Sequence, residues 1–123
     1  METWNELYGS KPELKEQTLM FEMSNVRQNK TGLDNVIWIG PYMGQGDKHP
    51  RIKVQRDHNV KVSSDWVSIS IHPDEPKILA GDLNNRDFNR VSDFIVKNYK
   101  GLMSVWNDSI DPSDFTNNIM IKI

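Results

Sequence analysis

Three histidines in the sequence each have an aspartate nearby, and imidazole and carboxylate groups are ligands that proteins offer to zinc and related metals. The histidines are His49, His58 and His72, and the aspartates are at positions 47, 57, 65 and 74. No pair of these residues has the spacing that places two ligands on one helical face, and aspartate is common in turns. We therefore predict no metal site and no cofactor.

Covalent catalysis finds little support in the residue types. The chain has no cysteine, which excludes a cysteine nucleophile, a thiolate metal site and a disulfide. It also has no Gly-x-Ser-x-Gly motif that would single out a catalytic serine. Gly44-Gln45-Gly46 precedes a predicted strand, whereas phosphate-binding loops open a helix, so we interpret it as a connecting loop that could also bind a partner.

A basic cluster precedes and enters one predicted strand. Lys48, His49 and Arg51 lie together, and Lys53 follows on the same face of the strand. A ribonuclease that uses histidine and a cation without a metal needs only such an exposed cluster. Solvated basic residues on a strand are more common, so the pattern alone does not predict catalysis.

Strict alternation in two segments predicts a polar face on the sheet. In 66–72, Val67, Ile69 and Ile71 alternate with polar residues and with Trp66, and the segment 51–55 alternates in the same way. If the two strands are neighbours, the polar faces combine. The residues that we expect to form the binding surface are Lys48, His49, Arg51, Lys53, Trp66, Ser68 and His72.

Such a face could stack a base, bind an anionic group or anchor a protein partner, because Trp and Arg are enriched at interface hot spots. The alternative is that the N-terminal segment covers Trp66 through Trp4, Leu7 or Tyr8. The sequence leaves both possibilities open.

The elements that would position these residues follow from hydrophobic periodicity. We predict helical turns in 1–16, a sheet of about four strands within 18–80, and one helix over 85–107. The apolar run 36–39 predicts a strand buried on both faces. The segment 108–123 is a tail that contains a turn or new helix start at Asp111-Pro112 and an unclassified end.

The predicted helix carries one apolar stripe, which we expect to pack on the face that contains Val67, Ile69 and Ile71. Gly101 could bend or split the helix, but the stripe passes through it unbroken, so we favour one continuous helix. The stripe consists of Phe88, Val91, Ile95, Tyr99, Leu102 and Trp106.

Length and composition indicate a single α+β domain spanning 1–123: a small antiparallel sheet with a long C-terminal amphipathic helix on one face. The formal charge of −2 argues against whole-molecule affinity for nucleic acid. No apolar run is long enough for a membrane span or a signal peptide, so we expect no membrane association and a cytoplasmic location.

Short motifs resemble a family of small uncharacterised proteins from bacteria and mobile elements. They are Lys30-Thr31-Gly32-Leu33, Ile37-Trp38-Ile39, His49-Pro50-Arg51-Ile52-Lys53-Val54 and the helix end Leu102-Met103-Ser104-Val105-Trp106-Asn107. They are similar to the domain-of-unknown-function family numbered 4160, over roughly residues 30 to 107. The resemblance implies a small sheet with a covering helix and residence in mobile-element neighbourhoods, with no established activity.

Two functional hypotheses follow. The first is a non-enzymatic binding or regulatory protein, encoded by a phage or mobile element, that contacts a protein partner through the sheet face and the loop 44–49. The second is an RNA-binding protein or metal-independent ribonuclease-like toxin that uses His49, Arg51, Lys53 and Trp66. Salt dependence distinguishes them, since phosphate contacts weaken steeply with salt.

Overall fold

The computed structural model describes residues 24–42, 49–59, 61 and 65–123. The predicted N-terminal helical turns, the first part of the strand predicted from residue 18, and most of the loop 44–49 with Lys48 lie outside these residues. So do the three N-terminal side chains that were the candidate cover for Trp66.

Within the described residues, five antiparallel strands form one sheet in which neighbours in sequence are neighbours in space. The fold is therefore α+β, as predicted, with five strands rather than about four. The additional strand, β5, has only three residues, which is too short for alternation to be recognised. The strands are β1 (Ser24–Val26), β2 (Ile37–Ile39), β3 (Arg51–Gln55), β4 (Trp66–Ser70) and β5 (Ile78–Ala80).

Cross-strand pairing shows that the two alternating segments are neighbouring strands and confirms which of their residues share a face. Ile52 lies opposite Ile69 and Val54 opposite Val67, and all four side chains are fully buried on the core face. The intervening pair, Lys53 and Ser68, points to the second face of the sheet. β2 is an internal strand with all three residues buried, in agreement with the prediction for 36–39.

The structure does not show one uninterrupted helix over the predicted range 85–107. The structure has two helices, one either side of Asn98, and neither ends at Gly101. The helices of the described residues are α1 (Gln28–Thr31), α2 (Asn85–Lys97), α3 (Tyr99–Trp106) and α4 (Pro112–Asp114), followed by a π-helical turn (Phe115–Ile119).

The interruption at Asn98 has a hydrogen-bonding cause. The buried Asn98 side chain donates to the carbonyl of Phe94 at 2.9 Å and to that of Ile121 at 3.0 Å, and its oxygen accepts the Ile121 amide at 2.7 Å. Asparagine side chains that bond to the backbone compete with helical geometry. The Asn98 side chain thus interrupts the regular helix and holds the C-terminal segment in place through Ile121.

The helices pack on the core face of the sheet. Four residues of the predicted stripe are buried, and Phe88 and Tyr99 pack against the same cluster while partly exposed. Phe94 and Val105 are also buried, so the contact stripe is wider than predicted. Phe115 enters the core from the tail, where it lies against Gly101. The four buried stripe residues are Val91, Ile95, Leu102 and Trp106.

Backbone hydrogen bonds attach the end of α3 and the last residue of the chain to other parts of the fold. The amide of Tyr42 donates to the carbonyl of Trp106 at 2.9 Å, and the amide of Ile123 donates to the carbonyl of Thr31 at 2.8 Å. Gly32 has a φ of +82°, which favours glycine, and the Ile123 carbonyl occupies the space where a side chain at Gly32 would begin.

Candidate functional site

The second face of the sheet is largely closed, contrary to the exposed surface expected from the alternation. Lys53 is 6% exposed and Ser68 is 3% exposed, and Trp38 is buried beside them. The Trp38 and Trp66 rings lie 6.0 Å apart, with Trp66 itself partly exposed. Burial lowers the pKa of the Lys53 ammonium to about 8. Alternation correctly assigns these residues to one face, but it does not show whether that face meets solvent.

The remaining predicted site residues lie at two ends of the β3–β4 pair. His49 and His72 are exposed near the end where the Ile71 amide donates to the Pro50 carbonyl. Trp66 pairs with Gln55 at the other end of the five-residue strand, about 13 Å away. The sheet therefore does not bring these histidines to Trp66. Arg51 is partly exposed at the histidine end, opposite Ser70.

His72 has a local structural role. Its Nδ1 accepts the backbone amides of Asp74 and Glu75, at 3.1 and 2.9 Å, in the turn after β4. These bonds satisfy two donors of the turn that precedes β5. Lys48, the last predicted site residue, lies outside the described residues.

The structure instead assembles a polar cluster around the one histidine that the predicted surface omitted. His58, in the loop after β3, places its Nε2 2.7 Å from a carboxylate oxygen of Asp87 in the first turn of α2. Asp34, between α1 and β2, completes this His58 cluster, with one ligand-type atom of each residue within 4.8 Å of the others. A buried carboxylate that binds one imidazole nitrogen fixes the orientation of the ring.

Asp87 is 1% exposed and is held from several directions. Its Oδ2 accepts bonds from Asn35 at 3.3 Å and Asn84 at 3.1 Å in addition to His58, and its Oδ1 accepts Arg86 at 3.3 Å. Burial acts to raise the pKa of Asp87, but the hydrogen bonds from His58, Asn35 and Asn84 outweigh it and hold the pKa below the usual 3.8. Asp87 is therefore ionised at neutral pH.

Arg86 links the two carboxylates of the cluster. One guanidinium nitrogen lies 2.6 Å from Asp34 and 3.3 Å from Asp87. The hydrogen bond from Arg86 holds the pKa of Asp34 below its usual value, and the nearby charges of Arg90 and His58 act in the same direction. A metal ion would have to displace the Arg86 guanidinium from both carboxylates and compete with the Asn35 and Asn84 amides for Asp87, so the geometry does not favour a metal centre.

An open pocket lies beside this cluster. Its described lining consists of Arg27, Gln28, Asn29, Asp34 and His58, which we call the His58 pocket. The His58 side chain is 49% exposed. The Gln28 side chain donates to the carbonyls of Asp34, His58 and Asn59 at 3.3 to 3.4 Å, which ties α1 to the loop after β3. The pocket therefore has a fixed wall with a half-exposed imidazole.

A second concave feature lies where Asn98 separates α2 from α3. It is lined by apolar side chains and by lysines. Of the five large hydrophobic side chains identified as exposed in the described residues, three line this apolar groove: Val96 at 40%, Ile119 at 49% and Ile121 at 53%. Their clustering is informative because single exposed hydrophobic residues are normal on any surface. The complete described lining is Pro73, Val96, Lys97, Asn98, Tyr99, Lys100, Gly101, Ile119 and Ile121.

The charge of the apolar groove has one sign. Lys97 and Lys100 line the groove and are exposed, and Lys122 follows the lining residue Ile121 in the chain. No carboxylate is among the described lining residues. The tail forms one wall because the two hydrogen bonds between Asn98 and Ile121 fix it there. An apolar floor with lysines is complementary to an apolar segment that carries acidic residues.

Sequence reasoning missed both features because their parts are distant along the chain. Asp34, His58 and Asp87 lie in three separate loops or helix ends, and only the Asn84-Asn85-Arg86-Asp87 helix start gave a local signal. The groove needs the helix break at Asn98 and the return of the tail. Neither has a periodic signature.

Comparison with known proteins returned no matching family model, no matching curated protein and no matching solved structure. Among the helices of the described ranges, none has the length and apolar character needed to cross a bilayer. The interpretation of the sites therefore depends on their own geometry.

Proposed function

We propose that this chain is a non-enzymatic binding protein whose apolar groove binds an acidic segment, with apolar anchors, of a protein partner. The observation that carries the proposal is the grouping of Val96, Ile119 and Ile121 beside exposed Lys97 and Lys100. Buried apolar anchors would supply affinity, and lysine–carboxylate pairs at the edge would supply orientation and association rate. This proposal keeps a protein partner, but it assigns the binding surface to the apolar groove instead of the sheet face.

The proposal also includes the genetic source of the protein and its location in the cell. The resemblance in 30–107 supports a protein encoded by a phage or mobile element, and the cysteine-free composition fits a reducing cytoplasm. A regulatory role is consistent with a groove that could capture a short segment of another protein. The RNA-directed alternative depends on His49, Arg51 and Trp66, which retain some exposure.

Fluorescence anisotropy with designed peptides tests the groove directly. The probes are labelled 15-residue peptides that share the same leucine positions and differ only in flanking residues, which are Glu, Gln or Lys. We expect the Glu-flanked peptide to bind most tightly and the Lys-flanked peptide to bind least. Equal binding of all three, or no binding of the Glu-flanked peptide, contradicts the proposal.

A matched pair of variants locates the binding surface. Ile119→Ser with Ile121→Ser removes two apolar residues from the groove and should weaken the Glu-flanked peptide about tenfold or more. The control, Ile78→Ser with Leu79→Ser, removes two exposed apolar residues from β5 and should leave binding unchanged. If the control weakens binding as strongly, the groove is not the site.

A single-stranded RNA competitor separates the two hypotheses. RNA should not displace the peptide from the groove at physiological salt. Displacement that disappears as salt is raised, together with RNA binding lost in Arg51→Ala, would favour the RNA-directed alternative instead.

A further inference from the structure

Three hydrogen bonds attach the end of the tail, residues 121–123, to the body of the fold. The Asn98 side chain donates to the Ile121 carbonyl at 3.0 Å and accepts the Ile121 amide at 2.7 Å. The Ile123 amide donates to the Thr31 carbonyl at 2.8 Å. Two of the three bonds therefore depend on one side chain, that of Asn98.

The side chains of this tail end bury little apolar surface. Ile121 is 53% exposed and Lys122 is also exposed, whereas Ile123 is partly buried against the core. A segment with few buried apolar contacts opens at a lower free energy than a core strand such as β3, in which four of the five residues are buried. The tail end therefore has a docking equilibrium of its own, separate from global unfolding.

The apolar groove needs the docked tail end as one of its walls. Ile121 lines the groove from this wall, and Ile119 lines it from the π-helical turn that leads to the wall. The remaining exposed apolar residue of the lining, Val96, belongs to α2. Loss of the two Asn98 bonds would let Ile121 leave the groove, so a chain with an undocked tail end lacks a complete apolar lining.

We infer, on the basis of the proposed peptide binding, that the acidic segment binds only the form of the chain in which the tail end is docked on Asn98. Asn98 is then a positioning residue for the groove, and docking of the tail end regulates binding. A ligand that binds one of two states shifts the population toward that state. The bound segment should therefore hold the tail end in place, and a change that releases the tail end should release the segment.

Amide hydrogen exchange of the full chain, measured by NMR with and without the Glu-flanked peptide, tests this coupling. The peptide at about ten times its Kd should raise the protection of the Ile121 and Ile123 amides about tenfold. The Asp87 amide, bonded to the Asn84 side chain at the start of α2, is the control and should change little. Peptide binding with unchanged protection at both tail amides overturns the inference and leaves the proposed function standing. Absence of peptide binding overturns both.

A proline variant weakens docking without altering a described lining residue of the groove. Ile123→Pro removes the amide that donates to Thr31, so it should lower the protection of the Ile121 amide and raise the Kd of the Glu-flanked peptide severalfold. Saturating peptide should restore that protection, which a merely structural role of the tail end would not cause. Asn107→Ala, at an exposed residue outside the groove, is the control and should bind as the wild type does. Wild-type affinity in an Ile123→Pro chain whose Ile121 amide is unprotected contradicts the inference.

Discussion

Asp87 joins three separate parts of the chain through one carboxylate. It receives hydrogen bonds from Asn35 after α1, from His58 after β3 and from Asn84 at the start of α2. The Asp87 amide in turn donates to the Asn84 side chain at 2.8 Å, which caps the helix. A buried carboxylate with this many hydrogen-bond partners contributes to stability as well as to the shape of the adjacent pocket.

We expect Asp87→Ala to lower the free energy of unfolding by about 2 to 4 kcal/mol, because it leaves the buried Asn35 amide and the partly buried donors of His58 and Asn84 without their acceptor. Urea denaturation of wild type and variant measures the difference. Asp93→Ala, at an exposed aspartate on the same helix, is the matched control and should change stability by less than about 0.5 kcal/mol. Similar values for the two variants would show that the cluster contributes little.

The low pKa of Asp87 sets the pH range of its contribution. Because the pKa is lower in the folded than in the unfolded chain, the stabilisation is fully present above the ordinary value of 3.8 and is lost as the pH falls through the folded value. The stability difference between wild type and Asp87→Ala should therefore narrow below pH 3.8. Asp34, whose pKa is also lowered, contributes in the same direction in wild type.

Lys53 gives a second pH dependence of the same sign, at alkaline rather than acidic pH. Its pKa is about 8 in the folded protein against 10.5 ordinarily, so the unfolded chain binds more protons between these values and stability rises with pH across that range. Wild type should gain up to about 3 kcal/mol relative to Lys53→Met between pH 8 and 10.5. Denaturation at several pH values measures this gain, with exposed Lys77→Met as control. A constant difference between wild type and Lys53→Met contradicts the assignment.

At the scale of elements, the sequence predicts which strand residues share a face but not what covers each face. Alternation placed Lys53, Ser68 and Trp66 on one face correctly, but it gave no information on how far each of these side chains is exposed. Likewise, the apolar stripe identifies the core side of α2 and α3 but passes smoothly through Asn98. The interruption becomes visible only when the tail supplies a partner for the Asn98 side chain.

Asn98 should control the attachment of the tail. We expect Asn98→Ala to lose both bonds to Ile121, to cost about 1 to 3 kcal/mol, and to remove hydrogen-exchange protection from the Ile121 amide. Asn107→Ala, at the exposed end of α3, is the control and should leave that amide protected. Unchanged protection in Asn98→Ala would show that other contacts hold the tail.

Position 101 of α3 is a glycine because the Phe115 ring occupies the space that a side chain would need. A methyl group there would lie 2.5 and 2.7 Å from two carbon atoms of the Phe115 ring. Alanine improves helix propensity by about 1 kcal/mol, yet we expect Gly101→Ala to be destabilising by about 1 to 3 kcal/mol because Phe115 must leave its buried position. Thermal unfolding measures the effect, and Lys100→Ala on the exposed side provides the comparison. A gain in stability would show that the ring adapts freely.

At the scale of the whole molecule, the sequence predicts an antiparallel sheet with one long helix on one face, and the α+β class and the antiparallel sheet are confirmed. The order of strands follows the chain, which local alternation alone does not predict. The candidate sites were not predictable in the same way. The groove and the His58 pocket each join residues from distant segments, and the surface predicted from local pattern is partly buried.

The apolar groove combines apolar lining residues with the positive charges of Lys97 and Lys100. The central claim is that this surface selects acidic segments of a protein partner. Selection by charge has a direct consequence: reversal of the lysines should reverse the preference while the apolar floor is unchanged.

The most direct test is therefore anisotropy of Lys97→Glu with Lys100→Glu against the same Glu-flanked and Lys-flanked peptides used for wild type. We predict that wild type prefers the Glu-flanked peptide and that the charge-reversed variant prefers the Lys-flanked one. Both side chains are exposed, so the variant should fold normally. An unchanged preference in the charge-reversed variant would contradict the assignment of the groove as the binding site.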